Sequence, residues 1–357
     1  MVDAARSLLV QAIARRVFPA AVVDVGSSRG PLWREAAGTP TFDVDSPAAD
    51  EHTPFDLASL TKVVATTTVI MELVRSQAMR LEDRVSHGFE DWRSDDRVRV
   101  SVRDVLEHAS GLAARLMDPP PPTAREFAHD IAVMPLEYPP RSRSLYSDLG
   151  FILLGLLASD RGRRPLAVQF DDIRDRLALD DPVLAREPLT YAARLADKQH
   201  AAPTWPVDDD ARRGRMLVGE VHDHYAAILG EVAGHAGVFG TAGSVAAFAR
   251  VVLRAARGDP RAPEPFTPSL VARFVTKSTV PGSSRALGWD TMLATSSCGT
   301  KMSASAFGHV GFTGTSLWID PARDRYYVLL TNRTFHGGSM EEMRDVRRSF
   351  HDALSEL

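Results

Sequence analysis

The sequence predicts an α+β protein with one antiparallel sheet that is built from both chain ends and flanked by terminal helices. Two observations carry this prediction. Strand-rich runs and a helix occur at each end of the chain, whereas the stretch from about residue 60 to 230 is rich in helical patterns and prolines. We therefore expect residues 1–57 and 231–357 to form a sheet domain and residues 58–230 to form an inserted, mainly helical domain, with a cleft between them.

The two chain ends carry similar patterns of helix and strand. Short clusters of turn-forming residues separate the strand-like runs, as expected for hairpins. The predicted elements are a helix over residues 1–16, strands over 20–26 and 31–37, strands over 309–320 and 325–332, and a helix over 339–354. With 44% hydrophobic residues among 357, the chain is long and apolar enough for a sizeable core.

The inserted region begins with a helix that is apolar nearly all round from Leu60 onward, which predicts a buried helix. Further along, residues 101–111 read as a short helix with a serine cap at Ser101 and a glycine stop at Gly111. No internal repeat or low-complexity tract interrupts the region.

Composition excludes several classes of protein. The chain has 42 basic and 46 acidic side chains and a net charge of −4, too near neutral for an electrostatic nucleic-acid binder. Its single cysteine, Cys298, excludes an intramolecular disulfide framework and a cysteine-rich zinc site. No apolar run approaches the ~18 residues that cross a bilayer, and the N-terminus lacks the plan of a secretory signal. We expect a cytoplasmic protein without membrane or nucleic-acid partners.

The strongest chemical signal is a serine and a lysine at the start of the apolar helix. Ser59 and Lys62 lie one helical turn apart, so both side chains share a face. The electropositive helix N-terminus disfavours a protonated lysine, and a neutral or proton-sharing lysine can activate a serine nucleophile. The alternative is a capping serine followed by a salt-bridged lysine. Only four of the 42 basic side chains are lysines.

Two further motifs accompany this pair. Tyr146-Ser147-Asp148 precedes an apolar helix, and a His-x-Gly sequence occurs three times, at residues 235–237, 309–311 and 336–338. With Ser59 and Lys62, these motifs make the sequence similar to the superfamily of serine β-lactamases and penicillin-binding proteins. The resemblance spans essentially the whole chain. It is closest to the branch of class C β-lactamases, D-alanyl-D-alanine carboxypeptidases and related esterases.

The resemblance implies a role for each motif. Ser59 would attack an ester or amide carbonyl to form an acyl-enzyme, and Tyr146 would accept the serine proton once Lys62 lowers its pKa or shares its proton. The third motif runs along an edge strand in the family, and strand character favours the copy at His309 and Gly311. Backbone N–H groups of Ser59 and Phe312 would then hold the oxyanion.

Two departures from the family pattern favour ester substrates. Asp148 stands where many relatives have asparagine, so an amide that can donate is replaced by a carboxylate that pairs with Lys62 instead. His309 stands where β-lactamases carry lysine, and a neutral imidazole is a weaker receptor for a substrate carboxylate. The first expectation is therefore an esterase acting on small molecules. The alternatives are a D-alanyl-D-alanine carboxypeptidase or β-lactamase, and a non-catalytic binding protein on the same fold.

No metal or organic cofactor is expected. His222, His224 and His235 have a His-x-His spacing, but no third ligand follows at a spacing typical of zinc sites. The glycines of residues 234–240 lack the strand and the Gly-Lys-Ser/Thr context of a phosphate loop. The substrate would be a small ester, amide or peptide, and the sequence leaves the oligomeric state open.

Overall fold

The computed structural model describes residues 1–115, 119–355 and 357. These residues contain strands that form two antiparallel sheets. The strands are β1 (Ala20–Ser27), β2 (Gly30–Gly38), β3 (Phe55–Asp56), β4 (Leu189–Tyr191), β5 (Val238–Gly240), β6 (Asp290–Thr291), β7 (Phe307–Val310), β8 (Ser316–Asp320) and β9 (Arg325–Thr331). The larger sheet has the order β2-β1-β9-β8-β7-β6, and the smaller one the order β3-β5-β4.

The larger sheet joins the two ends of the chain. Strand β1 pairs with β9, with Ala21 opposite Thr331, so residues more than 300 positions apart lie side by side. The predicted α+β fold with a sheet built from both chain ends is confirmed.

Helices cover both faces of the larger sheet and fill the region between the chain ends. They are α1 (Val2–Ala14), α2 (Thr68–Arg75), α3 (Val102–Leu106), α4 (Ala124–Val133), α5 (Asp148–Gly162), α6 (Leu166–Ala178), α7 (Val183–Arg186), α8 (His224–Ile228), α9 (Ala242–Ala256), α10 (Pro268–Val275) and α11 (Met340–Ala353). Alternate residues of β1 point to opposite faces: Val23 packs with α1 and α11, whereas Val22 packs in the core that contains α9.

The apolar segment around Ser59 is buried, as predicted. It consists of a 3₁₀ turn over Ala58–Leu60, a π-helical stretch over Lys62–Thr67, and α2. Every residue from Leu60 to Met71 is buried. The segment therefore anchors Ser59 and Lys62 on the core rather than on a mobile surface loop.

Two local predictions were wrong. The run 309–320 is not one strand: β7 and β8 are antiparallel neighbours joined by a tight turn over residues 311–315. Apolar character continues through this turn, and Gly314 supplies the left-handed conformation that it needs, with φ of +105°. The serine cap of α3 at Ser101 is present, but the helix ends at Leu106, well before the predicted stop at Gly111.

The division into domains at residues 57 and 231 stays a prediction. Within the described residues, no helix has both the length and the apolar character needed to span a bilayer.

Candidate active site

Ser59 lies at the start of a sharp turn that follows β3. The residue before it, Ala58, has a left-handed backbone with φ of +46°, which is strained for a residue with a side chain. The Asp56 carboxylate holds the turn by accepting hydrogen bonds from the N–H of Ala58 (2.8 Å) and of His222 (2.6 Å). Burial raises the pKa of Asp56 to about 6.

The ammonium group of Lys62 is fully buried and uses all three of its N–H donors. It donates to Ser59 Oγ (3.0 Å), to Asp148 Oδ1 (2.7 Å) and to the backbone oxygen of His235 (3.1 Å). The expected contact between the lysine and the serine is therefore present, as is the expected pairing of Asp148 with Lys62.

The neighbours of Lys62 determine its protonation state. Burial lowers the pKa of Lys62, but the negative charge of Asp148 and the nearby Tyr146 outweigh that effect and raise the pKa above its usual value. Of the two expected forms, this raised pKa favours a protonated, proton-sharing Lys62 over a neutral one, because Asp148 on α5 supplies the counter-charge.

Tyr146 lies over the same lysine. Its ring centroid is 4.8 Å from Lys62 Nζ, and the guanidinium of Arg285 lies 5.1 Å from the same centroid. Burial raises the pKa of Tyr146, and the proximity of Lys62 and Ser59 only partly offsets this, so the phenol is protonated at neutral pH. We call Ser59, Lys62, Tyr146 and Asp148 the lysine cluster.

Asp148 belongs to a wider charged network that the sequence did not reveal. Arg115 bridges Asp148 Oδ2 and Asp223 Oδ2, at 3.2 Å each. Asp223 in turn contacts the imidazole of His235 at 2.8 Å. The network ties the loop before α8 to the lysine cluster, so both oxygens of Asp148 are engaged by cations.

His309 lies at the edge of the sheet, since β6 pairs with β7 only at Phe307 and Gly308. Its Nδ1 lies 2.9 Å from the backbone oxygen of Val310, which can only accept, so Nδ1 carries the proton and Nε2 is a free acceptor. Nε2 has no hydrogen-bond partner in the described part of the chain. Burial and the nearby cation of Arg285 lower the pKa of His309 well below its usual value, which makes the imidazole neutral.

The turn over residues 311–315, hereafter the hairpin turn, packs directly against the serine. Thr313 Oγ1 donates to the backbone oxygen of Asp56 (2.7 Å) and Thr315 Oγ1 to that of Leu57 (3.0 Å). A Cβ atom at Gly311 would lie 2.6 Å from the Leu57 oxygen, so only glycine fits there.

Two backbone N–H groups are left without an intramolecular acceptor by this packing. Over the residues that the structure describes, the N–H groups of Ser59 and Phe312 find no acceptor in the protein. Both residues line one cleft of about 450 Å³. The pair can therefore donate two hydrogen bonds to one oxygen atom of a ligand.

All predicted site residues line this cleft or its floor. Lys62 lies beneath it, and the others form its wall: Ser59, Tyr146, Asp148, His309, Gly311 and Phe312. The other two His-x-Gly copies have different surroundings. His235 lines the cleft and its backbone oxygen accepts from Lys62, whereas the ring of His336 lies 4.3 Å from that of Trp205, and neither of those two residues lines the cleft. In the described residues, no group of three or more His, Cys, Asp or Glu side chains has the arrangement of a metal site.

Comparison with known proteins identifies the family. The family model described as Beta-lactamase matches residues 5–352, so the chain belongs to the β-lactamase family. This is a family of serine hydrolases, and the chain is accordingly an enzyme of that class.

Curated relatives and solved structures agree with this placement. An N-acetylmuramyl-L-alanine amidase of Bacillus subtilis (strain 168) is 31% identical over 308 residues, which cover 79% of this chain and 68% of the relative. A protein of Escherichia coli (strain K12) with the provisional name D-alanyl-D-alanine carboxypeptidase is 30% identical over 314 residues, which cover 80% of this chain and 70% of the relative. The fold matches EstCE1, a hydrolase with promiscuous acyltransferase activity, with a TM-score of 0.75 and 19% identity over 98% of each chain.

Proposed function

We propose that the chain is an esterase in which Ser59 forms an acyl-enzyme with small carboxylic esters. One observation carries the proposal: Ser59 Oγ accepts from Lys62 Nζ at 3.0 Å beside two unpaired backbone N–H groups. A nucleophile, a cation and an oxyanion hole thus lie in one cleft.

Tyr146 is the proposed acceptor of the serine proton. Lys62 is a fixed cation. Its charge stabilises the alkoxide of Ser59 and the phenolate of Tyr146, which form transiently during acylation. Because the resting tyrosine is protonated, the reactive form is scarce at neutral pH and becomes more abundant as the pH rises. After acylation, the same pair would activate water.

Esters are favoured over amides by the groups that face the cleft. Asp148 accepts hydrogen bonds only, and its two oxygens are already engaged by Lys62 and Arg115. The imidazole of His309 is neutral, because burial and Arg285 lower its pKa, so it offers no positive charge to a substrate carboxylate. Both properties weaken the recognition of an acyl-peptide with a free carboxylate.

A second candidate, D-alanyl-D-alanine carboxypeptidase or β-lactamase, is favoured by Arg285. This guanidinium lines the cleft, and none of the carboxylates in the described residues comes within ion-pairing distance of it. A free arginine in a substrate cleft is a receptor for a carboxylate. The names of the two curated relatives, which refer to cell-wall peptides, point the same way.

Intact mass spectrometry after reaction with a fluorophosphonate tests the nucleophile. We expect one adduct on the wild-type protein and none on Ser59→Ala, with Ser110→Ala, a buried serine outside the cleft, as the matched control that still reacts. Absence of any wild-type adduct would contradict the acyl-enzyme.

Turnover of three probes ranks the substrates. We expect a short-chain p-nitrophenyl ester to exceed both a D-Ala-D-Ala peptide and nitrocefin. Arg285→Gln then separates the two candidates, since loss of the carboxylate receptor lowers peptide turnover about tenfold more than ester turnover. Higher turnover of the peptide than of the ester in the wild type favours the carboxypeptidase instead.

A further inference from the structure

Two buried arginines hold the hairpin turn from behind. Arg347 on α11 is 2% exposed, and Arg333, just after β9, is 7% exposed. Burial lowers the pKa of both groups, and no carboxylate of the described residues offsets it. A buried charge without a counterion is costly, so its retention calls for a reason beyond stability.

Arg347 donates to two backbone oxygens of the hairpin turn that also have other hydrogen-bond donors. Its Nη2 lies 2.6 Å from the oxygen of Gly311 and 2.9 Å from that of Thr315. Each oxygen already accepts within the turn, from Gly314 N–H at 3.1 Å and from Gly311 N–H at 2.8 Å respectively. The arginine therefore adds a charge to a hairpin whose own hydrogen bonds are complete.

The hydrogen bond from Arg347 to the oxygen of Gly311 acts on the peptide group that joins Gly311 to Phe312. The oxygen of Gly311 and the N–H of Phe312 are the two ends of one planar, conjugated amide. A charged donor on the oxygen draws electron density from the nitrogen and strengthens the N–H as a donor. That N–H is the unpaired group assigned above to the oxyanion hole.

We propose that Arg347 is a positioning residue that strengthens the oxyanion hole by polarising the Gly311–Phe312 peptide from the far side of the hairpin turn. This inference rests on the proposed acyl-enzyme at Ser59. Burial lowers the pKa of Arg347 only to about 9, so the guanidinium remains charged at neutral pH.

Arg333 provides a matched control within the same turn. Its Nη2 donates to the oxygen of Phe312 at 2.6 Å, and it lies under the same strand connection. However, the Phe312 oxygen shares its peptide group with the N–H of Thr313, which is not the oxyanion donor. Both arginines support the turn, but only Arg347 acts on the peptide that carries the donor.

The test is the carbonyl stretching frequency of the acyl-enzyme, measured by infrared difference spectroscopy with a slowly deacylating ester that is ¹³C-labelled at its carbonyl. We expect Arg347→Gln to move the band to higher frequency and to lower kcat about tenfold, with little change in KM. Arg333→Gln should move the band less than half as far. Arg347→Lys keeps a charge and should fall between Arg347→Gln and the wild type.

The outcomes separate this inference from the proposed function. If the wild type forms no adduct on Ser59, both fall. If the adduct forms and the two glutamine variants move the band equally, or Arg347→Gln does not move it, the polarising role of Arg347 alone is overturned. Should Arg347→Gln fail to fold, Arg347→Met, which leaves no buried amide, carries the same test with the same outcomes.

Discussion

The two sides of the cleft differ in whether their buried cations have carboxylate counterions. In the lysine cluster, the Lys62 ammonium is balanced by Asp148, which Arg115 links to Asp223. On the hairpin side, Arg333 and Arg347 are buried without a carboxylate among the described residues. Balanced charge suits a side that exchanges protons with its substrate. Unbalanced positive charge suits a side where negative charge develops on the substrate oxygen.

The largest expected effect is on the lysine side. Lys62→Arg keeps the charge but replaces a compact ammonium with a wide guanidinium that cannot exchange protons with Ser59 and Tyr146. We expect kcat/KM for an ester to fall about 10³-fold or more. Lys277→Arg, at an exposed lysine outside the cleft, is the control. Activity of Lys62→Arg within a factor of about ten of the wild type would refute the role of Lys62.

Tyr146→Phe should lower kcat about 10²-fold and change the pH profile. Because the pKa of Tyr146 is raised, the wild-type rate should increase with pH above neutrality as the phenolate form becomes more abundant. The variant should lose this increase. Rates of acylation measured from pH 6 to 10 check the prediction. If Tyr146→Phe keeps the alkaline increase in rate, a group other than Tyr146 accepts the proton of Ser59.

Stability distinguishes the two sides directly. Asp148→Asn leaves the buried Lys62 charge without a counterion, and we expect the free energy of unfolding to fall by about 3 kcal/mol. Arg347→Met removes a charge that has no counterion, so its effect on the same quantity should be below about 1 kcal/mol. Urea denaturation of both variants, with the exposed Asp45→Asn as control, measures the contrast. Equal losses would show that the presence of a counterion does not determine how much each charge contributes to stability.

The smallest effect concerns Asp56, whose pKa burial raises to about 6. As the pH falls through 6, this carboxylate gains a proton and loses strength as the acceptor for Ala58 and His222, so activity should decrease. Stability should move the opposite way: the folded state binds this proton more tightly, so the contribution of Asp56 is present below about pH 4 and lost as pH rises through 6.

Asp56→Asn should remove the acidic limb of the activity profile and change the rate only a few-fold at pH 8. Parallel measurements of kcat/KM and thermal unfolding between pH 4 and 8 check both signs. An acidic limb that survives in Asp56→Asn belongs to a different group.

The sequence predicted what is encoded locally. Strand periodicity at the two ends was enough for the sheet, and short motifs pointed to Ser59, Lys62, Tyr146 and Asp148. The boundaries of the hairpin turn were missed because apolar side chains continue through it. Strand pattern alone separated His309 from the two other copies of its motif.

The electrostatics of the site depend on partners far away in the chain. Asp148 lies 86 positions from Lys62, and Arg347 lies 36 positions from Gly311. Such distances leave no spacing to recognise. The pairing of Asp148 with Lys62 was expected only through the family resemblance, and the arginines behind the hairpin turn were not predicted. Arg115 and Arg285 were missed for the same reason in a chain with 38 arginines.

The pairing of β1 with β9 has a consequence for biosynthesis. A ribosome that has released the first 300 residues has already made the whole lysine cluster, but not the hairpin turn at residues 311–315 or the strand that closes the sheet. The nascent chain therefore holds Ser59, the proposed nucleophile, without the Phe312 N–H that would complete the proposed oxyanion hole. We expect hydrolytic activity to arise only after the last strand has been translated, so the enzyme stays inactive while its cleft is still open to the cell.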